Sequence, residues 1–309
     1  MQLGFVGTGT MGAAMAGCLI DAGHQLTVFD IRPEATGALR GRGARLADSP
    51  GAVAQQSEIV FTSLPGPREV ELAALDPASG IVAGLRPGGV YIDLTTNAPA
   101  VARRLAEGCR TRGIEMLDAP VSGRPPTMTV MVGGDEAVFS RCRPLLAAMA
   151  GNIFYIGGAG SGCVAKLVTQ YLGYTNFIAA LEGMLIGAKA GIDLGILAQI
   201  VPLSAGASRT FDNIPRSVLS GSFTAGGTLD IVAKDLALAC DLAREVAAPA
   251  TLGLLASDVL TRAQARGWGK EGFPIAARIL EAMADTELRA RVEAITGYQA
   301  EDPRRPRCS

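Results

Sequence analysis

The stretch Gly4-Phe5-Val6-Gly7-Thr8-Gly9-Thr10-Met11-Gly12 holds the pattern G-x-G-x-x-G directly after an apolar run that starts at Leu3, and Ala13-Ala14-Met15-Ala16 continues at helical spacing. It reads as the strand, tight turn and helix N-terminus of a dinucleotide site. The first glycine permits the turn, the second lets backbone approach the pyrophosphate, and the third lets helix pack on strand. The helix N-terminus faces the phosphate charge. A second apolar strand, Leu26-Thr27-Val28-Phe29, ends in Asp30, 18 residues after Gly12, where a carboxylate can accept hydrogen bonds from the adenosine ribose. The same carboxylate repels a 2′-phosphate, so the pattern predicts NAD in preference to NADP. Arg32 is the counterweight, since a guanidinium binds phosphate bidentately.

Outward from this fingerprint, strand-like and helix-like runs alternate. Strand signals cover 2–6, 25–29, 59–64, 90–94, 115–118, 128–132 and 153–156, and helical signals cover 11–22, 33–42, 51–55, 100–112 and 136–148. Such alternation predicts an α/β fold with a doubly wound, largely parallel sheet. Gly157-Gly158-Ala159-Gly160-Ser161-Gly162 then punctuates the chain, and no convincing strand follows it. Residues 163–190 read as one very long helix suited to joining two domains, with further helices at 194–201, 212–219, 231–246, 249–264 and 275–285. The expected organisation is a dinucleotide-binding domain over 1–162, an all-helical domain for substrate and oligomerisation over 163–295, and a mobile tail over 296–309.

Bulk properties fit an enzyme with sizeable cores. The chain has 309 residues, 49% apolar and 18% charged. Lys+Arg at 28 against Asp+Glu at 29 leave no electrostatic drive toward nucleic acid or an anionic membrane. No basic leader precedes Leu3, and the longest apolar candidate, 167–188, is interrupted by Gln170, Asn176 and Glu182, so neither a signal peptide nor a membrane span is expected. Six cysteines, at 18, 109, 142, 163, 240 and 308, lack metal-ligand spacing and read as reduced thiols of a cytoplasmic protein without a metal.

Inventory excludes several dehydrogenase designs. His24 is the one histidine and lies in the loop between the first helix and second strand, where it reads as a solvated residue rather than part of a proton relay. The residues four beyond Tyr91, Tyr155, Tyr171 and Tyr174 are Thr95, Ala159, Thr175 and Ile178, so no Tyr-x-x-x-Lys pair is formed there. No cysteine–histidine cluster is spaced to hold a carbonyl-polarising metal. A lysine or a carboxylate remains as acid/base. Lys166 stands out among Val164, Ala165, Leu167 and Val168, one turn into the long helix, with Gln170 at i+4 on the same face. Apolar surroundings disfavour a charged lysine and bring it toward the range for proton transfer. A lysine snorkelling from an amphipathic helix fits the same residues.

The chain resembles the β-hydroxyacid dehydrogenase family, the group of 3-hydroxyisobutyrate dehydrogenase. The resemblance rests on Gly7-Thr8-Gly9-Thr10-Met11-Gly12-Ala13-Ala14-Met15-Ala16, Asp93-Leu94-Thr95-Thr96 with Pro99, Asp118-Ala119-Pro120-Val121-Ser122-Gly123, Gly160-Ser161-Gly162 with Lys166, and Lys234-Asp235. These motifs stand in the family's order across residues 2–285. They imply a Rossmann-type N-terminal domain, an all-α C-terminal domain joined by the long helix, and NAD(P)-linked oxidation of a small 3-hydroxy carboxylic acid or reduction of the matching semialdehyde. Carried over by position, Lys166 is the catalytic acid/base and Gln170 its helper, at a place where the family usually has asparagine. Ser122 and Gly123 hold the substrate carboxylate, partly through backbone N–H groups, and Thr96 lies near the nicotinamide. Gly7, Gly9, Thr10, Met11, Gly12, Asp30, Arg32, Leu64, Pro65 and Lys234 complete the cofactor set, and the protein is a homo-dimer or homo-tetramer.

Three departures bear on the substrate. The family's Ser-Gly-Gly is Ser122-Gly123-Arg124 here, the segment from there to Gly133-Gly134 is shorter by about five residues, and Gly227 replaces an aromatic seven residues before Lys234. Together they point to a substrate that is larger or carries a second anionic or polar group. Plainer readings stand beside these: Ser122 as a loop turn, Thr95-Thr96 as strand-end residues, Lys234-Asp235 as a surface pair, Arg124 facing solvent. The alternatives for function are an imine reductase-like NADPH enzyme, against which Lys166 argues, and a non-catalytic relative that keeps the fold.

Overall fold

Short buried strands, most of them followed by a helix, build the N-terminal part of the computed structural model, which describes residues 1–224 and 226–290. The chain divides into two compact units, Met1–Val168 and Thr169–Ser309. In the first, β1 (Gln2–Val6), β2 (Gln25–Phe29), β3 (Arg45–Leu46), β4 (Ile59–Thr62), β5 (Val90–Asp93) and β6 (Glu115–Asp118) are all parallel, in the spatial order β3-β2-β1-β4-β5-β6. The helices between them are α1 (Thr10–Asp21), α2 (Gly37–Arg40), α3 (Pro50–Gln55), α4 (Pro67–Leu75), α5 (Ile81–Gly84) and α6 (Pro99–Arg110). Strand order reverses between β1 and β4, so the crevice beyond their carboxyl ends is where a doubly wound sheet receives its ligand.

The last third of the sheet departs from parallel pairing. β7 (Val121–Ser122) and β8 (Met128–Gly134) form an antiparallel pair, and β8 also runs antiparallel to β6. Links as short as 119–120 and 123–127 leave no room for the crossover helix that a parallel neighbour needs. A full crossover returns with α7 (Glu136–Ala147), and β9 (Ala150–Gly157) lies parallel to β8. Apolar side chains fill both faces of the sheet. Leu3, Phe5, Met15, Val28, Phe61 and Ile92 pack in one cluster, and Val6, Val60, Tyr91, Val101 and Leu105 in the other. Consecutive strand residues such as Phe5 and Val6 point to opposite clusters, as the pleat requires.

The long helix is α8 (Ser161–Lys189), which starts in the first unit and continues into the second. The second unit adds α9 (Leu194–Ile200), α10 (Leu229–Glu245), α11 (Thr251–Ala265) and α12 (Ala277–Ala284) around a core that includes Phe177, Leu181, Phe211, Leu236 and Leu260. The helix expected over 212–219 is a 3-10 turn, Phe211–Asn213, followed by a π turn, Pro215–Leu219. Pro215 has no N–H to give to an α ladder. Among the described residues the unit's only β pairing is the single bridge between Thr228 and Gly272, and no helix is long and apolar enough to cross a membrane. The tail expected over 296–309 lies outside the described residues.

Candidate active site

The turn after β1 is shaped by what its glycines leave out. Gly7 has φ +88°, and a Cβ there would overlap the Ser63 carbonyl oxygen and come within 2.8 Å of Leu64 Cδ2. At Gly12 a Cβ would overlap the Gly7 carbonyl oxygen, so α1 packs on the turn backbone to backbone. Gly9 is different: the nearest atom to its missing Cβ is Arg32 Nη2, at 3.7 Å. The N-cap of α1 is Gly9, which supplies no side-chain acceptor, and the helix's first turn carries no acid. By contrast, α3 and α7 are capped by Ser49 and Asp135. The open N–H groups at Thr10-Met11-Gly12 and the bare backbone at Gly9 fit a diphosphate, as the helix dipole favours.

Asp30 is turned toward this turn. Its Oδ2 accepts the Thr8 N–H at 2.7 Å and its Oδ1 accepts the Arg32 N–H at 2.9 Å, while Arg32 Nε stands 3.8 Å from Oδ1. The Arg32 side chain is 64% exposed and that of Asp30 7%. Oδ2 also accepts the Thr8 hydroxyl at 3.4 Å, so Oδ1 is the oxygen with a lone pair left for a ribose hydroxyl.

Next along the crevice, the loops after β4 and β5 are tied together. Thr95 Oγ1 accepts the Leu64 N–H at 3.0 Å, which couples Leu64-Pro65 to Thr95-Thr96. Beneath them lies Asp93, fully buried, whose Oδ1 accepts Thr62 Oγ1–H at 2.7 Å and the Thr95 N–H at 3.1 Å, and whose Oδ2 accepts Asn97 Nδ2–H at 3.0 Å. Desolvation holds its carboxyl above the usual range in spite of these bonds. Thr95 is therefore more than a strand-end residue.

Asp118, at the end of β6, is a second buried acid. Its Oδ1 accepts the Gly160 N–H at 2.7 Å and its Oδ2 the Cys163 N–H at 2.9 Å. Burial raises its pKa as well. Lys166 is one turn further along α8 and is itself buried, 6% exposed, so the snorkelling alternative does not describe it. Ser122 ends β7 opposite Thr129. Gly123 follows with φ +88°, and Arg124, at the exposed hairpin tip, accepts the Thr127 N–H at its carbonyl.

The second unit, by itself, holds the other residues singled out in the sequence. Gln170 Nε2 donates to Tyr174 Oη at 2.7 Å and to Asp235 Oδ2 at 2.6 Å. Lys234 Nζ lies 2.7 Å from Asp235 Oδ1 as an ion pair, but outside hydrogen-bond geometry, so that oxygen accepts no hydrogen bond. The Asp235 side chain is 3% exposed and that of Lys234 26%; they are not a surface pair. Burial, then the Asp235 charge, raise the Tyr174 pKa. A Cβ at Gly227 would touch only Ile231, at 3.8 Å.

His24 lies partly exposed in the turn between α1 and β2, with a pKa lowered by desolvation and then by the N-terminal ammonium. The β1–β2 register sets it at the end of the sheet opposite Gly7 and Asp30. Among the described residues no cluster of three His, Cys, Asp or Glu side chains is placed to hold a metal. Sequence reasoning quoted Asp93 and Asp118 within motifs without giving them work. The signal was there: each is an acid closing a strand directly after two buried residues, Tyr91-Ile92 and Met116-Leu117.

Comparison with known proteins finds matches to both parts of the chain. Residues 2–157 match the NAD-binding domain of 6-phosphogluconate dehydrogenase, and residues 160–280 match the NAD-binding domain of NADP-dependent 3-hydroxyisobutyrate dehydrogenase. The chain is 30% identical to 2-(hydroxymethyl)glutarate dehydrogenase of Eubacterium barkeri, over 93% of this chain and 97% of that one. It is 34% identical to the NAD-dependent L-serine dehydrogenase of Pseudomonas aeruginosa, over 91% and 98%. A crystal structure of a 3-hydroxyisobutyrate dehydrogenase from Salmonella typhimurium superposes with a TM-score of 0.81 at 32% identity, covering 90% of this chain and 99% of that one.

Proposed function

The chain belongs to the β-hydroxyacid dehydrogenase family, NAD(P)-dependent oxidoreductases of CH–OH groups, and from that premise we propose that it oxidises the primary alcohol of a small 3-hydroxy carboxylate with Lys166 as the proton acceptor. The observation that carries the reading is Lys166 itself, a lysine 6% exposed within the unit that holds the dinucleotide cradle. The relatives' named substrates support the class: 3-hydroxyisobutyrate, serine and 2-(hydroxymethyl)glutarate each carry a hydroxymethyl group on the carbon next to a carboxylate.

Bound NAD(P) supplies the acceptor for the two electrons and the hydrogen that leave the carbinol carbon. The protein supplies orientation and the proton path. Ser122 and the N–H of Gly123 hold the substrate carboxylate, which fixes the hydroxymethyl group. Neutral Lys166 takes the hydroxyl proton as the carbonyl forms, and in the reverse direction its ammonium returns it. Gln170, with its amide nitrogen committed to Tyr174 and Asp235, aims the reacting groups. Arg124 pairs with a second anionic group on the substrate.

The test is a 340 nm assay with NAD or NADP against a panel of 3-hydroxy acids, with a cyclic imine as control, in wild type and Lys166→Ala. General acid–base catalysis contributes roughly 10²–10⁴-fold, so Lys166→Ala lowers kcat at least about a hundredfold with NADH affinity unchanged. A variant that keeps a tenth of wild-type turnover, or an enzyme that reduces only the imine, overturns the reading.

A further inference from the structure

We propose that Asp118 is a positioning residue for Lys166: it caps the helix that carries the lysine and, through the paired strand β5, ties that helix turn to the loop 95–97. The inference rests on the reading of Lys166 given above, and every residue in it lies within Met1–Val168.

The start of α8 has a deficit to fill. Its first residue is Ser161 and the residue before it is Gly160. A glycine at that place has no side-chain oxygen to accept the first N–H groups of the helix. Asp118 provides both missing acceptors from another element, taking the Gly160 N–H with one oxygen and the Cys163 N–H with the other. Negative charge at a helix N-terminus is favourable in itself.

The approach is too close to be incidental. A Cβ at Gly133 would stand 2.6 Å from Asp118 Oδ1 and 2.8 Å from the Gly162 nitrogen. A Cβ at Gly162 would overlap the Met131 carbonyl oxygen and lie 2.6 Å from the Asp118 carbonyl oxygen. Two glycines thus clear the space in which β6, β8 and the first turn of α8 meet.

The neighbouring strand extends the contact. Asp93 lies opposite Asp118 in the sheet, and its carbonyl accepts the Ala119 N–H at 2.7 Å. The Asp93 carboxylate holds Asn97 and the Thr95 N–H. A continuous buried path therefore runs from the loop of Thr95 and Thr96, through Asp93, Ala119 and Asp118, to the turn that precedes Lys166. None of these groups needs to touch the substrate. Their effect is to keep the lysine at one distance from the loop beside the cofactor.

The experiment compares Asp118→Ala, Asp118→Asn, Lys166→Ala and the double variants of each Asp118 substitution with Lys166→Ala. Asp118→Ala lowers kcat roughly 10–100-fold, the scale of a misplacement of about 1 Å, with the NADH dissociation constant unchanged by fluorescence titration. Asp118→Asn, which keeps one acceptor oxygen, falls between Asp118→Ala and wild type. Each double variant is no slower than Lys166→Ala alone, because a residue that acts through the lysine has nothing left to position. Amide hydrogen exchange at residues 160–166 speeds up in Asp118→Asn while α1 is unaffected, a readout independent of turnover. Should Asp118→Ala fail to fold, Asp118→Asn, alone and with Lys166→Ala, carries the same comparison. Wild-type kcat in the Asp118 variants, or losses that multiply in either double variant, overturn the proposal and leave the reading of Lys166 intact. If Lys166→Ala keeps its turnover, both fall.

Discussion

Lys166 and Arg124 sit in opposite surroundings, one buried and one in solvent, and both were singled out by residue type and place. An arginine at an exposed hairpin tip pairs with an anion only when a ligand brings one. A charge-assisted bond contributes roughly 1.5–3 kcal/mol, so Arg124→Ala raises KM more than about tenfold for the true substrate. Steady-state kinetics on 3-hydroxyisobutyrate beside dianionic 3-hydroxy acids decides: best activity on the former, unchanged in Arg124→Ala, rules the second anion out. For the cofactor, the residue expected to decide between NAD and NADP is Asp30. Two like charges a few ångströms apart cost about 1–4 kcal/mol at protein-surface dielectric, so kcat/KM favours NAD over NADP by at least roughly tenfold. A ratio favouring NADP would mean that the exposed Arg32 guanidinium, close to Gly9, governs instead. Residue types announced Gly7, Gly12, Asp30 and Lys166 because each chemistry has few substitutes. They were silent on what Asp93 and Asp118 hold, since those partners are backbone N–H groups and hydroxyls that the fold alone brings near.

Elements were legible where a period or a glycine turn marks them. The strands of the parallel half and the long helix are such cases, because buried runs and caps leave a local trace. The helices Pro67–Leu75 and Ile81–Gly84 and the two-residue strands Arg45–Leu46 and Val121–Ser122 were not foreseen. Three of these span only two to four residues, about one period, and their pairing is a tertiary choice; Pro67–Leu75, at nine residues with a proline at its start, is long enough to read. The antiparallel turn of β8 was also out of reach, because direction is decided by link length and not by strand composition. The helix that opens the dinucleotide turn makes the sharpest demand of any element. Gly12→Ala inserts a methyl against the Gly7 carbonyl oxygen, which must push α1 from β1 and tilt its open N–H groups away from the diphosphate. Overpacking of this kind costs roughly 1–3 kcal/mol. NADH affinity should fall at least about tenfold, and Tm with it; isothermal titration showing wild-type affinity would refute this account.

The thiols report on the molecule as a whole. Burial pushes Cys142 up to about 11 and Cys109 up to about 12, and lifts Cys163 well above the usual thiol range. A thiol near 11 is thiolate in only about one part in a thousand at pH 8, and the thiolate is the reactive form. Native protein at pH 8 should therefore leave Cys109, Cys142 and Cys163 unlabelled by iodoacetamide, and denatured protein should label all three, as mapped by peptide mass spectrometry. Labelling of Cys163 in the native state would mean that the first turn of α8 opens readily. Cys308 lies outside the described residues.

The capture of that turn by Asp118 also bears on descent. Lys166 is fastened to the nucleotide-binding unit by the end of β6, although the helix it rides on belongs for most of its length to the other unit. On the proposed role of Lys166, a lineage can then reshape the helical unit while the lysine is inherited together with the cradle for the cofactor. The same logic locates the seam for anyone recombining two members of the family: a joint at Gly162 would part the lysine from its anchor, and one after Val168 would keep them together.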